Sequence, residues 1–312
     1  MNVLVHLVTY AALLIFAVAI AVRFLRIRGY PLNLRWEIYP VPHEGKRAAH
    51  GGSKMEESGY WAREHRPDRI TEWKFMLAEM VFIKSLFEHN RKLWYRSFPF
   101  HFGLYLLAAF AGLLGLGAIL ELAGTAFEGP NVSSLAAALS ALTSIVGRAG
   151  IMLTIWGAVG LQLMRMCDKD LRPFTNFSHY FNLVFVAVVV TMVLGALLAE
   201  GGSVTPFRRY IGSLITFHLS APVGGRPTVS AIVAVSLLIA YIPLTHMSHF
   251  FVKWFTWHHI RWDDSLNVRG GRIEKMIEEA LQYRVSWSAD HIRGNGKKTW
   301  AQVATEEMSN RG

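Results

Sequence analysis

Two histidines of this chain lie inside apolar stretches, where an ionisable side chain is costly and is by default a candidate for function. His101 follows Pro99 at the start of a stretch that ends at residue 122, and His249 lies near the end of a stretch over residues 229–252. Because proline suits the first helical position, we expect His101 in the first turn of its helix. If the two helices cross a membrane in opposite directions, both imidazoles lie near the same face, as two axial ligands of one haem iron would.

Small residues follow His101 on the same predicted helix face. Ala108, Gly112 and Gly115 come seven, eleven and fourteen positions later and leave a stripe with little side chain. A flat macrocycle fits against such a stripe, but close packing of membrane helices produces the same pattern. The stripe therefore favours a haem site only in combination with the paired histidines.

Three basic residues lie at the ends of predicted helices on the same side as the two histidines. Arg96, Arg165 and Lys253 are in position to pair with haem propionates. The usual excess of Lys and Arg on the cytoplasmic side of membrane proteins explains them equally well.

Other histidines offer weaker alternatives. His246 lies one turn before His249, next to a helix loosened by Pro243, and is an alternative ligand or a hydrogen-bonded polar residue. His6 and His218 are placed toward the opposite face, where a second haem or a role in quinol deprotonation is conceivable. The remaining histidines fall mostly in polar loops, as ordinary surface residues do.

The elements that must position these residues are predicted to be membrane-spanning helices. Of the 312 residues, 52% are hydrophobic and only 17% charged, against about 25% charged in soluble proteins. A span of hydrocarbon takes about 20 apolar residues. The first stretch lacks a basic region before it and a small-residue cleavage site after it, which favours a retained span over a signal peptide. Five stretches qualify: residues 3–22, 100–122, 145–164, 181–199 and 229–252.

Lys and Arg are distributed very unevenly about these five stretches. Residues 23–98, 165–180 and the tail from 253 onward hold 28 of the 32, all on one predicted face. The positive-inside rule therefore predicts an outside N-terminus and a cytoplasmic C-terminus. The net charge of +10 is then a topology signal, and a nucleic-acid partner loses its main support.

The predicted architecture is an all-α membrane protein with two parts. Residues 1–252 form a five-span domain, which includes a cytoplasmic loop over 23–98 with an interfacial amphipathic helix at 69–92. Residues 132–146 are expected to form an outer surface helix before the third span. Residues 253–312 form a cytoplasmic tail with a short amphipathic helix near 273–281, and the aperiodic stretch after it is expected to lie along another subunit.

Cys167 is the only cysteine. Iron-sulfur clusters typically take four thiolates, so this chain does not hold one by itself. If electrons leave the haem for an iron-sulfur centre, a partner must supply that centre.

With the spans and histidines placed, the chain resembles the gamma subunit of respiratory nitrate reductase and its membrane cytochrome b superfamily. That superfamily includes the membrane subunits of sulfite-reduction-associated and heterodisulfide-reductase-like complexes. The resemblance rests on FHFGLYLL, where His101 matches a haem-ligating histidine, and on IPLTHMSHFF, where His249 matches its partner. RMCDKDLRPFTNFSHYFNL and SLITFHLSA, with His218, resemble the segments before the fourth and fifth spans.

The chain departs from this superfamily at the outer haem. Members with two haems carry a histidine ten residues after the first ligand and another eighteen before the last, and here these positions are Ala111 and Ala231. The resemblance therefore implies one haem b near the cytoplasmic face and leaves a second one in doubt. The long first loop and the tail also differ from the nitrate reductase subunit, which points to a different soluble partner.

The resemblance implies a quinone-reactive subunit of a multi-subunit oxidoreductase in the inner membrane of a prokaryotic cell. It would transfer electrons between the quinone pool and a cytoplasmic iron-sulfur subunit of the heterodisulfide-reductase-like kind. Without an outer haem, we expect the quinone site in the cytoplasmic half, near His101 and His249. Two alternatives stay open: a membrane di-iron oxygenase that uses His246, His249, His258 and His259, and a transporter or haem-free anchor.

Overall fold

The protein is described here by a computed structural model that covers residues 1–30, 69–261, 268–289 and 292–306. Within these ranges the regular secondary structure is helical apart from an antiparallel hairpin of β1 (Ser288–Ala289) and β2 (Ile292–Arg293). In chain order the α-helices are α1 (Asn2–Arg28), α2 (Arg69–Phe82), α3 (Lys84–His89), α4 (Arg91–Leu122), α5 (Ser134–Cys167), α6 (Phe177–Ala199), α7 (Thr205–Ile215), α8 (Arg226–Tyr241), α9 (His249–Phe255), α10 (Arg272–Leu281) and α11 (Trp300–Ala304).

Among the described residues, five helical stretches are long and apolar enough to cross a membrane, which confirms the predicted all-α membrane fold. They are α1, α4, α5, α6 and the stretch Arg226–Leu244, which contains α8. Each contains one of the five predicted spans or most of it. The chain forms two compact units: the first is Met1–Ile20 with Leu77–Ser248, and the second is Ala21–Met76 with His249–Gly312.

The first unit is organised around a seam of glycines between α4 and α5. A Cβ atom added to Gly157 would lie 2.4 Å from the backbone nitrogen of Phe100, and one added to Gly103 would lie 2.4 Å from Oγ1 of Thr154. The two backbones therefore approach as closely as small residues allow, which is how membrane helices gain packing energy without a hydrophobic driving force. This seam fixes the rotation of α4 and hence the direction of His101, the residue after Phe100.

The other helices of this unit pack around the same seam. α5 packs on α6, α6 on α8, and α7 on α4. The first turns of α1 join them through buried hydroxyl contacts, from Thr9 Oγ1 to the Tyr210 hydroxyl at 2.6 Å and to Ser236 Oγ at 2.9 Å. Polar contacts of this kind hold helices together where the surroundings offer no water.

Two helices are longer than the sequence predicts. α4 begins at Arg91, where the Asn90 side chain accepts a hydrogen bond from the backbone N–H of Leu93. Pro99 therefore lies inside the helix, and the expectation that His101 occupies its first turn is wrong. α5 begins at Ser134, so residues 132–146 are not a separate surface helix. Membrane helices tolerate an internal proline because neighbouring groups can satisfy the freed carbonyl.

The fifth span is broken where the sequence predicts one continuous helix. α8 ends at Tyr241, and short 3-10 turns follow at Ile242–Leu244 and His246–Ser248. Pro243 lacks a backbone N–H and disfavours an unbroken α-helix here. His249 thus begins α9 and is not in the last turn of the span.

The predicted helix over 69–92 is also interrupted. Ile83 separates α2 from α3 with φ of 51°, a left-handed conformation that is rare for a β-branched residue and costs about 1–3 kcal/mol. Asn90 separates α3 from α4. In the tail, α10 confirms the predicted amphipathic helix.

The tail stretch after α10 has local structure that the sequence analysis did not expect. Val285 is buried, and its backbone N–H donates to the Lys298 carbonyl. The N–H of Trp300 donates to the Tyr283 carbonyl, and the hairpin of β1 and β2 lies between these ties. The stretch therefore has local structure of its own, although its sequence shows no hydrophobic period.

The glycine seam gives a stability prediction. Gly157→Ala should destabilise the protein by about 1–3 kcal/mol, because the new methyl group overlaps the backbone of Phe100. Gly195→Ala is the matched control: a Cβ there meets nothing within 4 Å of the described residues, so helix propensity should make it neutral or slightly stabilising. Unfolding of both variants in detergent measures the difference, and equal stabilities would contradict the role of the seam.

Candidate functional site

His101 is held in one orientation by its own helix. Its Nδ1 atom lies 2.8 Å from the backbone carbonyl oxygen of Ser97, one turn earlier. A carbonyl oxygen only accepts, so Nδ1 carries the proton and donates it. In the neutral ring Nε2 then has the lone pair, which is the tautomer that binds a metal, and histidines that ligate metals commonly donate their other N–H in this way.

The small-residue stripe beyond His101 is not covered by the described part of this chain. A Cβ added to Gly112 or Gly115 meets no atom within 4 Å, and Ala108 is exposed. Packing against another described helix therefore does not explain these three small residues. The glycines that do serve helix packing are those of the α4–α5 seam.

Two buried polar atoms near the predicted cytoplasmic end of α5 find no hydrogen-bond partner among the described residues. They are Oε1 of Gln162 and Nε of Arg165. The Arg165 guanidinium has one weak contact, from Nη1 to Thr175 Oγ1 at 3.4 Å. A buried polar atom without a partner costs free energy, so such atoms indicate a missing polar ligand or water. The two amide atoms of a glutamine are nearly indistinguishable, so Gln162 can present a donor as well.

The other two basic candidates differ from Arg165. Arg96 donates from Nη1 to the carbonyl oxygen of Lys92 at 2.6 Å, and its aliphatic part lies against Gly160. Lys253 lies in α9, which belongs to the second unit. Of the three basic residues, Arg165 is the one with a buried donor atom that lacks a partner. Gln162 was missed in the sequence, although a lone amide inside an apolar span was a visible signal.

The structure separates the two candidates for a second ligand. His246 belongs to the first unit, where both its ring nitrogens lie 3.3–3.4 Å from Nδ2 of Asn182. The hydroxyl of Tyr241 donates to Oδ1 of Asn182 at 2.7 Å, and the ring of His179 lies 5.1 Å from that of His246. His246 is thus part of a polar cluster beside the break in the fifth span. His249 is exposed and belongs to the second unit.

The second unit holds a carboxylate–imidazole pair that the sequence analysis did not find. Nδ1 of His258 hydrogen-bonds the Glu72 carboxylate, and the Trp254 ring lies 4.0 Å from the imidazole. Nε2 of His258 is buried without a hydrogen-bond partner in the described ranges. The 186 residues between the two partners explain why no local motif showed this pair.

The end of the first unit remote from His101 carries a buried polar network. Nδ1 of His6 lies 2.8 Å from the carbonyl oxygen of Asn2, and Nε2 lies 2.8 Å from Oγ of Ser213. Both ring nitrogens are therefore engaged, so His6 is not available as an axial ligand in this arrangement. Burial raises the pKa of the neighbouring Tyr210, which keeps its hydroxyl protonated as a donor.

A cavity of about 520 Å³ opens beside this network, lined by Ser213, Thr216 and the exposed His218. It also touches Glu121, about 30 Å along α4 from His101 at 1.5 Å per residue. At its edge Nε of Arg208 donates to the Glu121 carboxylate at 2.8 Å, and the Arg208 side chain is only 3% exposed. From the sequence, Glu121 is an ordinary solvated carboxylate at the outer end of its span, and Arg208 and Ser213 lie in no recognisable motif.

Comparison of this chain with protein-family models, curated proteins and solved structures finds no match.

The ion pair at the cavity edge gives a second stability prediction. Glu121→Ala leaves the buried Arg208 guanidinium without its carboxylate and should destabilise the protein by about 3 kcal/mol. Glu128→Ala removes a pair between two exposed side chains, Glu128 and Arg209, and should cost less than about 1 kcal/mol. Unfolding in detergent measures both, and a larger effect for Glu128→Ala would contradict the burial argument.

Proposed function

We propose that this chain is a membrane-bound b-type cytochrome that transfers electrons between the quinone pool and a cytoplasmic iron-sulfur partner. The observation that carries the proposal is the hydrogen bond from Nδ1 of His101 to the Ser97 carbonyl. That bond selects the tautomer with the lone pair on Nε2 and holds the ring inside a membrane span. A histidine at such a depth needs a function to offset its cost.

The residues around His101 fit a haem in two further ways. The face of α4 at Gly112 and Gly115 leaves open space, as a flat macrocycle requires. The buried Nε of Arg165 is a donor in need of an anionic acceptor, and a propionate carboxylate is one; Gln162 would donate its amide to the same group. When bound, haem supplies one-electron exchange, and the protein tunes it through its ligands and hydrogen bonds.

The second axial ligand remains His249 in this proposal, as the sequence predicts. His246 is the less favourable choice because its ring already contacts Asn182 and His179. Arg96 and Lys253 stay as secondary candidates for the propionates.

One haem is favoured over two by the residues at the other end of the bundle. Ala231, at one expected position of an outer ligand, is fully buried with 0% exposure, so an imidazole there would displace core side chains. His6 uses both nitrogens for Asn2 and Ser213. The exposed His218 is the remaining candidate for an outer ligand.

The quinone site, the iron-sulfur partner and the prokaryotic inner membrane are parts of the proposal that rest on the sequence resemblance. The chain would act as the quinone-reactive subunit of a larger oxidoreductase, with its basic loops toward the cytoplasm. No three His, Cys, Asp or Glu side chains converge as metal ligands within the described residues, and the side chain of His259, one member of the oxygenase alternative, lies outside them. If the chain were a haem-free anchor, nothing would explain the buried Nε atom of Arg165, which has no partner in the described residues.

The test of the proposal is the dithionite-reduced absorption spectrum of the purified chain. We expect the sharp alpha and Soret bands of a low-spin b haem, and we expect their loss in His101→Ala and His249→Ala. His246→Ala is the matched control and should keep them. A chain without haem, or one whose His101→Ala variant keeps the bands, would contradict the proposal, and loss in His246→Ala alone would make His246 the second ligand.

The role of Arg165 has its own test. Arg165→Gln should lower the fraction of chains that retain haem through purification several-fold, because a buried propionate loses its charged donor. Arg172→Gln removes the same charge from an exposed position of the same predicted loop and should have no effect. The ratio of Soret to protein absorbance measures both, and equal ratios would contradict a propionate contact at Arg165.

A further inference from the structure

The short helix α3 is held in place by contacts that outweigh a strained backbone. Ile83 adopts a left-handed conformation at its start. The Glu79 carboxylate accepts hydrogen bonds from both the backbone N–H and the hydroxyl of Ser85, at 2.8 and 2.7 Å. Strain that the surroundings maintain is typical of functional positions. Here it turns α3 away from the line of α2.

The same joint is fixed from the side of α4. The indole N–H of Trp94 donates to the Phe82 carbonyl at 2.7 Å, and the hydroxyl of Tyr105 donates to the Met80 carbonyl at 2.7 Å. These two hydrogen bonds hold the C-terminal end of α2 against α4. α3 is therefore a rigid projection and not a loose linker.

This projection presents an aromatic ring surrounded by positive charge. Phe87 is 37% exposed, and the Arg91 guanidinium lies 4.6 Å from the centre of its ring. Lys84 and Lys92 are exposed beside it, while the nearby Glu88 pairs with Lys84 at 3.6 Å. An exposed aromatic ring beside an arginine is the composition of an interface hot spot. The excess of positive charge selects an acidic partner.

A row of rings leads from this surface to the level of His101. Phe87 contacts Trp94 at 5.0 Å between ring centres, Trp94 stacks on Phe98 at 4.8 Å, and Phe98 stacks on Phe102 at 5.5 Å. Phe102 is the residue after His101. The row of ring contacts therefore runs from the exposed patch to Phe102, which neighbours the proposed haem ligand in the sequence of α4.

We infer that α3 and the first turn of α4, with Phe87 at the centre and Lys84, Arg91 and Lys92 around it, form the docking surface for an acidic, electron-carrying protein. The electron-carrying nature of the partner rests on the proposed function, whereas its acidity rests on the charges of the patch. The Lys and Arg asymmetry of the sequence puts this surface on the cytoplasmic side. The patch is the arrival point for that partner.

The test is binding of a small acidic probe, a plant-type [2Fe–2S] ferredoxin, to the full chain in nanodiscs of neutral lipid. We expect saturable binding that weakens as salt rises, since the attraction is between exposed charges. Lys84→Glu with Lys92→Glu should weaken binding on the order of tenfold, and Phe87→Ala should do the same by removing the central contact. Basic cytochrome c should not bind to the patch.

The matched control is Lys169→Glu, a charge reversal on the same predicted side but outside α3. It should change the affinity by less than about twofold, because a single exposed ion pair contributes little to binding. Equal weakening by Lys169→Glu would show diffuse attraction and overturn the inference, as would binding that is insensitive to salt or to Phe87→Ala.

This experiment and the test of the proposed function can fail independently of each other. Ferredoxin binding is measured without using any haem signal. Only variants whose thermal stability equals that of the wild-type chain are compared. Ferredoxin binding by a chain that lacks haem bands would leave the docking surface standing and remove the cytochrome proposal. Haem bands without binding at α3 would do the reverse.

Discussion

A polar atom inside a membrane protein has no water to bond, and this constraint organises the whole of the first unit. Its buried polar groups are paired across helices, as the His6–Ser213 contact and the Arg208–Glu121 ion pair show. Helix contacts that use no polar groups rely on glycine instead, along the seam of α4 and α5. Three buried polar atoms of this unit have no partner in the described residues: Oγ1 of Thr154, Oε1 of Gln162 and Nε of Arg165. The last two lie near the predicted cytoplasmic end of α5, which is why we propose them as contacts of a ligand.

The two ends of the bundle differ in what they can do. At one end, His101 is oriented by its own backbone, and Arg165 has a buried donor atom without a partner in the described residues. The open face of α4 at Gly112 and Gly115 begins about 16 Å further along the helix. At the other end, a cavity of about 520 Å³ lies beside hydroxyl and imidazole groups that are already paired. A haem needs a lone pair, a flat space and a counter-charge, and for these reasons we propose it on the His101 side. The second offers room for a small amphipathic molecule.

The sequence predicted the five spans well because apolar length is a simple consequence of bilayer thickness. It failed where a local rule competes with tertiary contacts. Pro99 is read as a helix start, yet the Asn90 cap and the packing of Phe100 on Gly157 let α4 begin eight residues before it. Pro243, in contrast, lies where its helix is interrupted, so proline breaks the fifth span but not α4. The residues around each proline decide whether the helix continues.

The site could be predicted in part. His101 is a candidate from the sequence because a histidine in an apolar span is rare, but its tautomer depends on the Ser97 carbonyl, which no sequence pattern indicates. Arg165 was one of three equal candidates until burial separated it from Arg96. Glu72 and His258 lie too far apart in the chain for any motif to join them.

The central claim is that imidazole nitrogens bind a haem iron in this chain, with His101 as one ligand. Near-infrared magnetic circular dichroism of the oxidised, purified protein tests it most directly, because the position of the charge-transfer band reports the pair of axial ligands. The account predicts the band of two imidazoles in the wild-type chain and its disappearance in His101→Ala. A band of any other ligand pair, or no low-spin haem signal at all, would contradict it.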